Sequence, residues 1–344
     1  MYKKRALIVP LVLALALVIG QPLAMTAQED ETDAEPIRVA LVLDNAIDDQ
    51  GWNQAGYEGL LAIEEQFENV EIAFSEEIPI PDMERALRDY ASQGYDFIIL
   101  HSSIAKDAAI NTATDYPEIM FLWTDGDTTM DNLAVIRPLA HEASYLAGLI
   151  AGSMTETGII GMVGGIDIPS THRSYEGFVM GVAEVNADAQ VLVNWIGSFL
   201  DVSAGNEAAM SQVEAGADII FGNGDGQNIG VLRACEETET LCIGAVRDQY
   251  DVAPSVVLTS VGWGFETGIP LVFGDYLEGK FEGQFYEINL EEGADLMPYH
   301  ENEELIPEEV RELVEEKRQE IIDGDLEIPV IDFAEEMEEE EETD

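Results

Sequence analysis

Basic residues are scarce in this sequence of 344 residues, which has 15 lysines and arginines against 70 aspartates and glutamates. The net charge of −55 argues against nucleic acid or an anionic membrane surface as a partner, because either requires a basic surface. It also argues against an anionic ligand unless the binding site is locally shielded. Acid-rich surfaces occur in proteins from salty environments, where dense counter-ions screen the self-repulsion.

Cysteine and histidine are also rare, at two and four residues. Cys235 and Cys242 do not have the spacing of a metal site, and the histidines are scattered without paired metal spacing. The sequence contains no G-x-S-x-G nucleophile motif. We therefore predict no catalytic residue, no metal and no cofactor. The two cysteines either form a disulfide, which an exported protein tolerates, or remain buried free thiols.

No apolar run reaches the roughly 20 residues that a membrane-spanning helix needs. The apolar residues 6–20 follow a basic start at residues 3–5 and precede small residues at 24–27, which is the pattern of a signal peptide. We predict a cleaved signal over residues 1–27, with an uncleaved anchor as the alternative. The protein would then be exported to the periplasm or the cell surface. No cysteine ends the segment to accept a lipid anchor.

Strand and helix patterns alternate along residues 37–330, which indicates repeated βα units and a parallel α/β fold. The number of strand patterns favours two sheets rather than one. Residues 28–36 are acidic and patternless, as expected of a leader. Residues 331–344 are predicted to form an acidic disordered tail.

The stretch over residues 39–60 organises the rest of the chain. An apolar strand pattern ends in Asp44 and Asn45, and after a short loop Trp52 and Asn53 open a helical pattern. Ligands of parallel sheets bind beyond the carboxyl ends of the strands, which is where these four side chains lie. A large aromatic ring beside two amides and a carboxylate suits a flat, polar organic molecule.

A structural interpretation competes with this one. Asp48 and Asp49 in the same loop suit the N-terminus of the helix, and for them we favour a capping role. Trp52 would, on this interpretation, pack in the core. For Trp52 and Asn53 we favour ligand contact.

Further strand ends supply groups that we expect to converge on the same cleft. His101 and Ser102 follow one apolar strand pattern, and Asp125 follows the next. Phe199 and Gly224 follow strand patterns in the second half of the chain. The sequence therefore predicts a site with walls from two halves of the molecule.

In their order, these motifs resemble the basic membrane protein family, the PnrA-like nucleoside receptors of ABC importers. The resemblance covers residues 37–329. Its markers after the Trp52 motif are Gly164-Gly165, Glu176-Gly177-Phe178, the segment 195–199, the segment 215–220, Asp248-Gln249 and the segment 305–310.

The resemblance implies the type I periplasmic-binding-protein fold, in which two doubly wound parallel-sheet lobes are joined by a three-strand hinge. The first lobe would comprise residues 37–138 and 260–283, and the second would comprise residues 139–259 and 284–330.

The implied function is that of a monomeric extracytoplasmic receptor, which binds a purine nucleoside or a related flat heterocycle and delivers it to an ABC permease. The alternatives are another small solute such as a sugar or a nucleobase, a sensor of the same fold, and a nucleoside hydrolase with Asp44 or Asp125 as general base. We rank the hydrolase lowest, and predict that the protein is not an enzyme.

The resemblance also implies roles for individual residues. Trp52 and Phe199 take the positions of two aromatic residues that sandwich the purine base, one from each lobe. Asp44, Asn53 and Asp125 match positions that hydrogen-bond the ligand.

Other positions either match the family or depart from it. Gly224 lies where a glycine of the family lets the ligand approach the backbone. Asp248 matches an aspartate of the family. Val246 and Trp263 replace an aspartate and a lysine that engage the ribose side of the ligand in the family. Trp263 is either a further stacking surface or a packing residue, and the exact ligand stays open.

Overall fold

The computed structural model describes residues 35–331. The predicted signal peptide over residues 1–27, the leader before residue 35 and the predicted tail beyond residue 331 lie outside the described residues. From residue 37 onward strands and helices alternate, and the strands form two separate parallel sheets. The predicted α/β fold with two parallel-sheet lobes is confirmed.

In chain order, the strands of the described residues are β1 (Ile37–Leu43), β2 (Val70–Ser75), β3 (Phe97–His101), β4 (Met120–Thr124), β5 (Leu133–Pro138), β6 (Ile159–Gly164), β7 (Gln190–Trp195), β8 (Ile219–Asn223), β9 (Leu241–Val246), β10 (Val257–Gly262) and β11 (Phe285–Ile288). The helices are α1 (Trp52–Gln66), α2 (Ile80–Ser92), α3 (Lys106–Asp115), α4 (Ala140–Met154), α5 (Pro169–Val185), α6 (Val202–Glu214), α7 (Asn228–Thr238), α8 (Phe265–Leu277) and α9 (Glu308–Ile322).

The strand order of each sheet determines where a ligand is able to bind. The first sheet has the order β11-β5-β4-β3-β1-β2, and the second has the order β10-β9-β8-β6-β7. Strand β1 lies between β2 and β3 in the first sheet, and β6 lies between β7 and β8 in the second. The direction in which successive strands are added therefore reverses beside β1 and beside β6. Open α/β sheets bind ligands at such switch points, beyond the carboxyl ends of the strands. The residues after β1, β3, β6 and β8 are therefore the expected site residues.

Strand β1 illustrates how the sequence produces this architecture. Residues 39–43 are all apolar and completely buried, as expected for a parallel strand that is covered on both faces. Helix α1 follows, and its Ala55, Leu60 and Ile63 are also fully buried. Each large aliphatic side chain buried in this way contributes about 1.5–3 kcal/mol. The burial fixes the end of β1 relative to the start of α1, where the polar residues lie.

The chain passes between the two lobes three times. It leaves the first sheet after Pro138 and enters α4, which packs against α5 of the second lobe. It leaves the second sheet after Gly262 and enters α8, which packs against α1. It leaves the first sheet again after Ile288, and residues 295–297 then bond to β10, with Gly262 N–H donating to Asp295 O at 2.8 Å.

The predicted boundaries near residues 260 and 284 are corrected by this path. Residues 260–262 still belong to β10 of the second sheet, and β11 adds to the edge of the first sheet by pairing in parallel with β5. The ring of Phe285 lies under the guanidinium of Arg137 in β5, 3.9 Å from ring centroid to guanidinium carbon. A short strand pattern fits either sheet, so only this pairing assigns residues 285–288 to the first lobe.

The two cysteines form a disulfide between the end of α7 and the start of β9. Both Cys235 and Cys242 are completely buried. Of the two alternatives that the sequence left open, the structure therefore shows the disulfide.

Candidate functional site

A cavity of about 390 Å³ lies between the lobes, at the carboxyl ends of both sheets. The first lobe lines it with Asp44, Asn45, Trp52, Pro79, Ile80, Ser103 and Ile104. The second lobe lines it with Ile166, Ile168, Ser170, Thr171, Gly197, Ser198, Phe199, Leu200, Gly224, Asp225 and Val246, and Trp263 lies at the crossover between the lobes. Among the predicted site residues, those absent from this lining are Asn53, His101, Ser102, Asp125 and Asp248.

Trp52 is held in the cavity wall by contacts with several neighbouring residues. Its ring stacks on His101, with 4.3 Å between the centroids, and meets Phe265 and Trp263 edge-on at 4.8 and 5.7 Å. The indole Nε1–H donates to the carbonyl oxygen of His101 at 3.4 Å. Trp52 therefore both packs on the core and faces the cavity, so the two interpretations of this residue do not exclude each other.

His101 lies behind Trp52 rather than in the cavity wall, which differs from the prediction. Its Nε2 is 2.7 Å from the carbonyl oxygen of Trp52, and its Nδ1 is 2.9 Å from Oγ1 of Thr124. Complete burial lowers the pKa of His101 to about 3, so the ring is neutral. A Cβ at position 56 would lie 2.5 Å from this ring, which explains the glycine there. His101 thus holds the tryptophan in place.

Asp44 lies at the end of β1 and faces the cavity. The hydroxyl of Ser102 donates to its Oδ2 at 3.0 Å, so Ser102 orients Asp44 instead of lining the cavity itself. Burial raises the pKa of Asp44, and the hydrogen bonds from Ser102 and Asn53 oppose that rise. The carboxyl group is thus held in place and only partly solvated.

Asn53 is buried below the loop and joins two of its residues. Its Oδ1 accepts from the backbone N–H of Asn45 at 3.2 Å, and its Nδ2 donates to Asp49 at 2.9 Å. Asp49 also accepts from the backbone N–H groups of Gly51, Asn53 and Gln54. The predicted capping role of Asp49 is confirmed. Asn53 shapes the site from within because its polar atoms face the loop.

Asp225 is the site residue that sequence reasoning missed. It lies on the loop after β8 in the second lobe, and its Oδ1 accepts the backbone N–H of Trp52 at 2.6 Å. Helix α1 begins at Trp52, so this N–H has no partner within the helix. A Cβ at position 51 would lie 2.1 Å from that carboxyl oxygen, so closure of the lobes requires Gly51. An aspartate between two glycines after an apolar strand was the available signal.

The environment of Asp225 is unfavourable for a free charge. Complete burial raises its pKa well above the ordinary value, and the nearby Asp49 and Asp44 act in the same direction. The hydrogen bond from the N–H of Trp52 opposes that rise. The first turn of α1 therefore receives one cap from its own lobe, Asp49, and a second cap from the opposite lobe.

Two arginines of the second lobe reach the first lobe. Arg173 of α5 is 3.4 Å from Asp125, whose side chain is 8% exposed and outside the cavity lining. Burial raises the pKa of Asp125, and Arg173 opposes that rise. Arg247, after β9, contacts both carboxylate oxygens of Glu58 in α1, at 2.8 and 3.3 Å. The lobes are thus held together in a closed arrangement, and Asp125 belongs to that contact.

The predicted Asp248 points away from the cavity, toward His300, whose Nε2 lies 2.6 Å from its Oδ2. The neighbouring Gln249 is completely buried instead, and its Nε2 donates to the carbonyl oxygen of Gln50 in the first lobe at 2.8 Å. In the Asp248-Gln249 pair, the amide rather than the carboxylate connects the lobes.

Phe199 lines the cavity from the loop after β7 and is half-buried. It rests on Gly165, where a Cβ would lie 2.3 Å from the ring. Val246 and Trp263 also line the cavity and are each only 2% exposed. Val246 has a φ of +72°, which a β-branched residue rarely adopts. Trp263 serves as both packing residue and cavity wall.

Neither a metal centre nor a membrane span is found in residues 35–331. No group of histidine, cysteine, aspartate and glutamate side chains in that range is arranged to hold a metal ion. No helix in the same range is both long and apolar enough to cross a bilayer.

A family model described as ABC transporter substrate-binding protein PnrA-like matches residues 37–332. The chain belongs to this family. Proteins of this PnrA-like family are extracytoplasmic, and they bind a small molecule and work with a membrane permease. The family and its fold are those of solute-binding proteins.

Relatives of this PnrA-like chain differ in the ligand for which they are named. It is 25% identical over 297 residues to an ABC transporter protein of Haloferax volcanii named for glucose binding, with 86% of this chain and 75% of that one covered. It is 27% identical over 302 residues to a purine-binding protein of Brucella abortus, covering 85% and 83% of the two chains.

Solved structures show the same fold. A solute-binding protein of an ABC transporter system from Aeropyrum pernix K1 has a TM-score of 0.78, with 23% identity and coverage of 87% of this chain and 95% of that one. The fold of type I periplasmic solute-binding proteins, which the sequence predicted, is thus confirmed.

Proposed function

We propose that this protein is the receptor of an ABC importer, and that it binds a purine nucleoside or a related flat heterocycle between its lobes. One observation carries the proposal: Trp52 of the first lobe and Phe199 of the second line the same cavity. Two aromatic side chains on opposite lobes suit a flat ring, because stacking buries both of its faces.

The size and lining of the cavity support this ligand class. A volume of about 390 Å³ lies within the range of pockets for small organic ligands. The walls are largely apolar, and Asp44 and Asn45 present polar groups from the end of β1. Apolar walls supply most of the affinity, and a few fixed polar groups discriminate between rings by the pattern of their edges.

A sugar is the second candidate. One relative is named for glucose binding, and Trp263 adds a third aromatic face to the cavity. A sugar has hydroxyl groups around its ring, however, and most of the cavity lining is apolar, so those groups would find few partners.

Calorimetry decides between the two candidates. The purified protein is titrated with inosine, adenosine, adenine, ribose and glucose. We expect binding of at least one nucleoside or nucleobase, and loss of about tenfold or more in affinity in Phe199→Ala, in line with stacking losses. Asp248→Asn is the matched control, because Asp248 lies outside the cavity.

Two outcomes would contradict the proposal. Binding of glucose or ribose alone would assign the cavity to sugars. Release of free base from inosine by the purified protein would replace the receptor with a hydrolase.

A further inference from the structure

The ionisable side chains around the cavity are carboxyl groups. Within residues 35–331, Asp44 and Asp225 are the ionisable side chains that line it, and the lining contains no lysine, arginine or histidine. The two arginines that cross between the lobes are paired elsewhere, Arg173 with Asp125 and Arg247 with Glu58. The cavity wall therefore offers carboxyl groups without a neutralising cation.

The carboxyl groups of Asp225 and Asp44 differ in their remaining capacity to accept hydrogen bonds from a ligand. Oδ1 of Asp225 accepts the backbone N–H of Trp52, and a nearby carboxyl, Asp49, adds repulsion. Asp44 accepts from Ser102, and Asn53 also bonds to it. A carboxylate has about four acceptor positions, so Asp44 retains capacity toward the cavity. Asp44 is thus the group that is able to read the ligand.

Three aromatic side chains line the same space: Trp52, Trp263 and Phe199. The face of an aromatic ring is negative, and it attracts a cation more strongly when water is excluded. An anionic ligand would meet two carboxyl groups and three aromatic side chains, with no cationic side chain in the lining of residues 35–331 to pair with it. Its burial here would be unfavourable.

We propose that the cavity selects heterocycles that carry a positive charge or N–H donors on the edge facing Asp44, and that it rejects anionic ones. This inference rests on the proposed function, because it assumes that a flat ring occupies the cavity. It narrows the ligand class to rings that carry a positive charge or that present amino or ring N–H groups on one edge. Nucleotides and other phosphorylated or carboxylated solutes are excluded as ligands.

A matched set of nucleosides tests the proposal. Guanosine, 7-methylguanosine and xanthosine have nearly the same size, and slightly below neutral pH they are neutral, cationic and anionic in turn. Calorimetry at that pH should give an affinity for 7-methylguanosine about tenfold above that for guanosine, as expected for a hydrogen bond to a charged group. Xanthosine should bind at least about tenfold more weakly than guanosine.

The variant Asp44→Asn identifies the group responsible. It keeps the size of the side chain and removes its charge, so the ratio of affinities for 7-methylguanosine and guanosine should fall to about one. Asp248→Asn is the matched control, since it removes a carboxylate of the second lobe that lies outside the cavity. This control should keep the wild-type ratio.

The outcomes separate the two proposals. Equal affinities for the three nucleosides, or an unchanged ratio in Asp44→Asn, would overturn the charge selection and leave the receptor function in place. Preference for xanthosine would also overturn it. Failure of all three nucleosides and of the free bases to bind would overturn the proposed function, and with it this inference.

Discussion

The two lobes contribute different kinds of wall to one cavity. On the first lobe, Trp52 is held from three sides by His101, Phe265 and Trp263, and its carbonyl oxygen is bonded as well. On the second lobe, Phe199 lies on a loop between β7 and α6 and rests on Gly165. The neighbouring Leu200 is 52% exposed. One wall is preorganised by packing, and the other is carried by a loop.

We expect the packed wall of the first lobe to position the ligand, and the loop wall of the second lobe to enclose it. A ring that is already fixed by its neighbours loses little conformational entropy when a ligand stacks on it. A loop residue is able to adapt to the opposite face of the ligand, at a greater entropic cost. Asp225 of the second lobe connects the two walls, because its carboxyl group accepts the backbone N–H of Trp52 in the first lobe. Substitutions on the two lobes should therefore have separable effects on stability and on binding.

The largest expected effect is that of Trp52→Ala. Loss of the ring removes contacts with three aromatic neighbours, so the free energy of unfolding should fall by about 3 kcal/mol. Ligand affinity should fall by a further 1–3 kcal/mol or so, measured by calorimetry on the folded fraction. Denaturant unfolding provides the stability value. Trp52→Phe should have much smaller effects, and an unchanged stability in Trp52→Ala would show that packing does not fix this wall.

Removal of the cap between the lobes should have the next largest effect. In Asp225→Ala the N–H of Trp52 loses its acceptor, so affinity should fall by about 1–3 kcal/mol while each lobe stays folded. Small-angle X-ray scattering should show a larger radius of gyration. Asp225→Asn keeps an acceptor oxygen and should retain most of the affinity. If Asp225→Ala binds as the wild type does, the two walls are not coupled through this bond.

Phe199→Ala tests the loop wall by itself. Affinity should fall by about 1.5 kcal/mol, with the melting temperature nearly unchanged because the ring is only half-buried. Leu200→Ala on the same loop is the control and should change affinity little. A large loss of stability in Phe199→Ala would remove the contrast between the two lobes.

The hinge between the lobes should respond to pH through Glu142. This residue follows the first crossover, and burial raises its pKa from 4.5 to about 7, with Glu287 acting in the same direction. The folded state then holds a proton that the unfolded state has lost, so stability decreases as the pH rises from about 4.5 to about 7. After allowance for solvent screening, we expect about 1 kcal/mol.

Glu142→Gln removes the titrating group and should flatten that part of the pH dependence. Denaturant unfolding at several pH values gives the measurement. The prediction is wrong if the wild type and Glu142→Gln have parallel stability profiles across this range.

The smallest effect is expected at the ion pair between Arg247 and Glu58, whose side chains are 18% and 34% exposed. A double-mutant cycle with Arg247→Met and Glu58→Gln should give a coupling energy of about 0.5–1 kcal/mol for closure, measured through ligand affinity. The coupling should shrink as salt is added. A coupling that is independent of salt would mean that the contact acts through packing.

The residues at the strand ends show how far sequence reasoning reached. Asp44, Asn45 and Trp52 line the cavity because an apolar strand must end where its polar residues begin, and this is visible in the sequence. That these residues contact the ligand is still a prediction. His101 follows the same rule at the end of β3, yet its ring turns inward behind Trp52. Periodicity locates the end of a strand and leaves the side-chain direction undecided.

What the sequence alone determined was the repeating βα pattern, the family and the placement of Trp52 at the start of a helix after β1. These depend on short-range periodicity and on motif order, which are readable along the chain. Tertiary structure alone decided that β11 joins the first sheet and that Asp225 caps the helix of Trp52. The physical reason is distance in the chain: the two partners in that bond are 173 residues apart, and only packing of the two lobes brings them together.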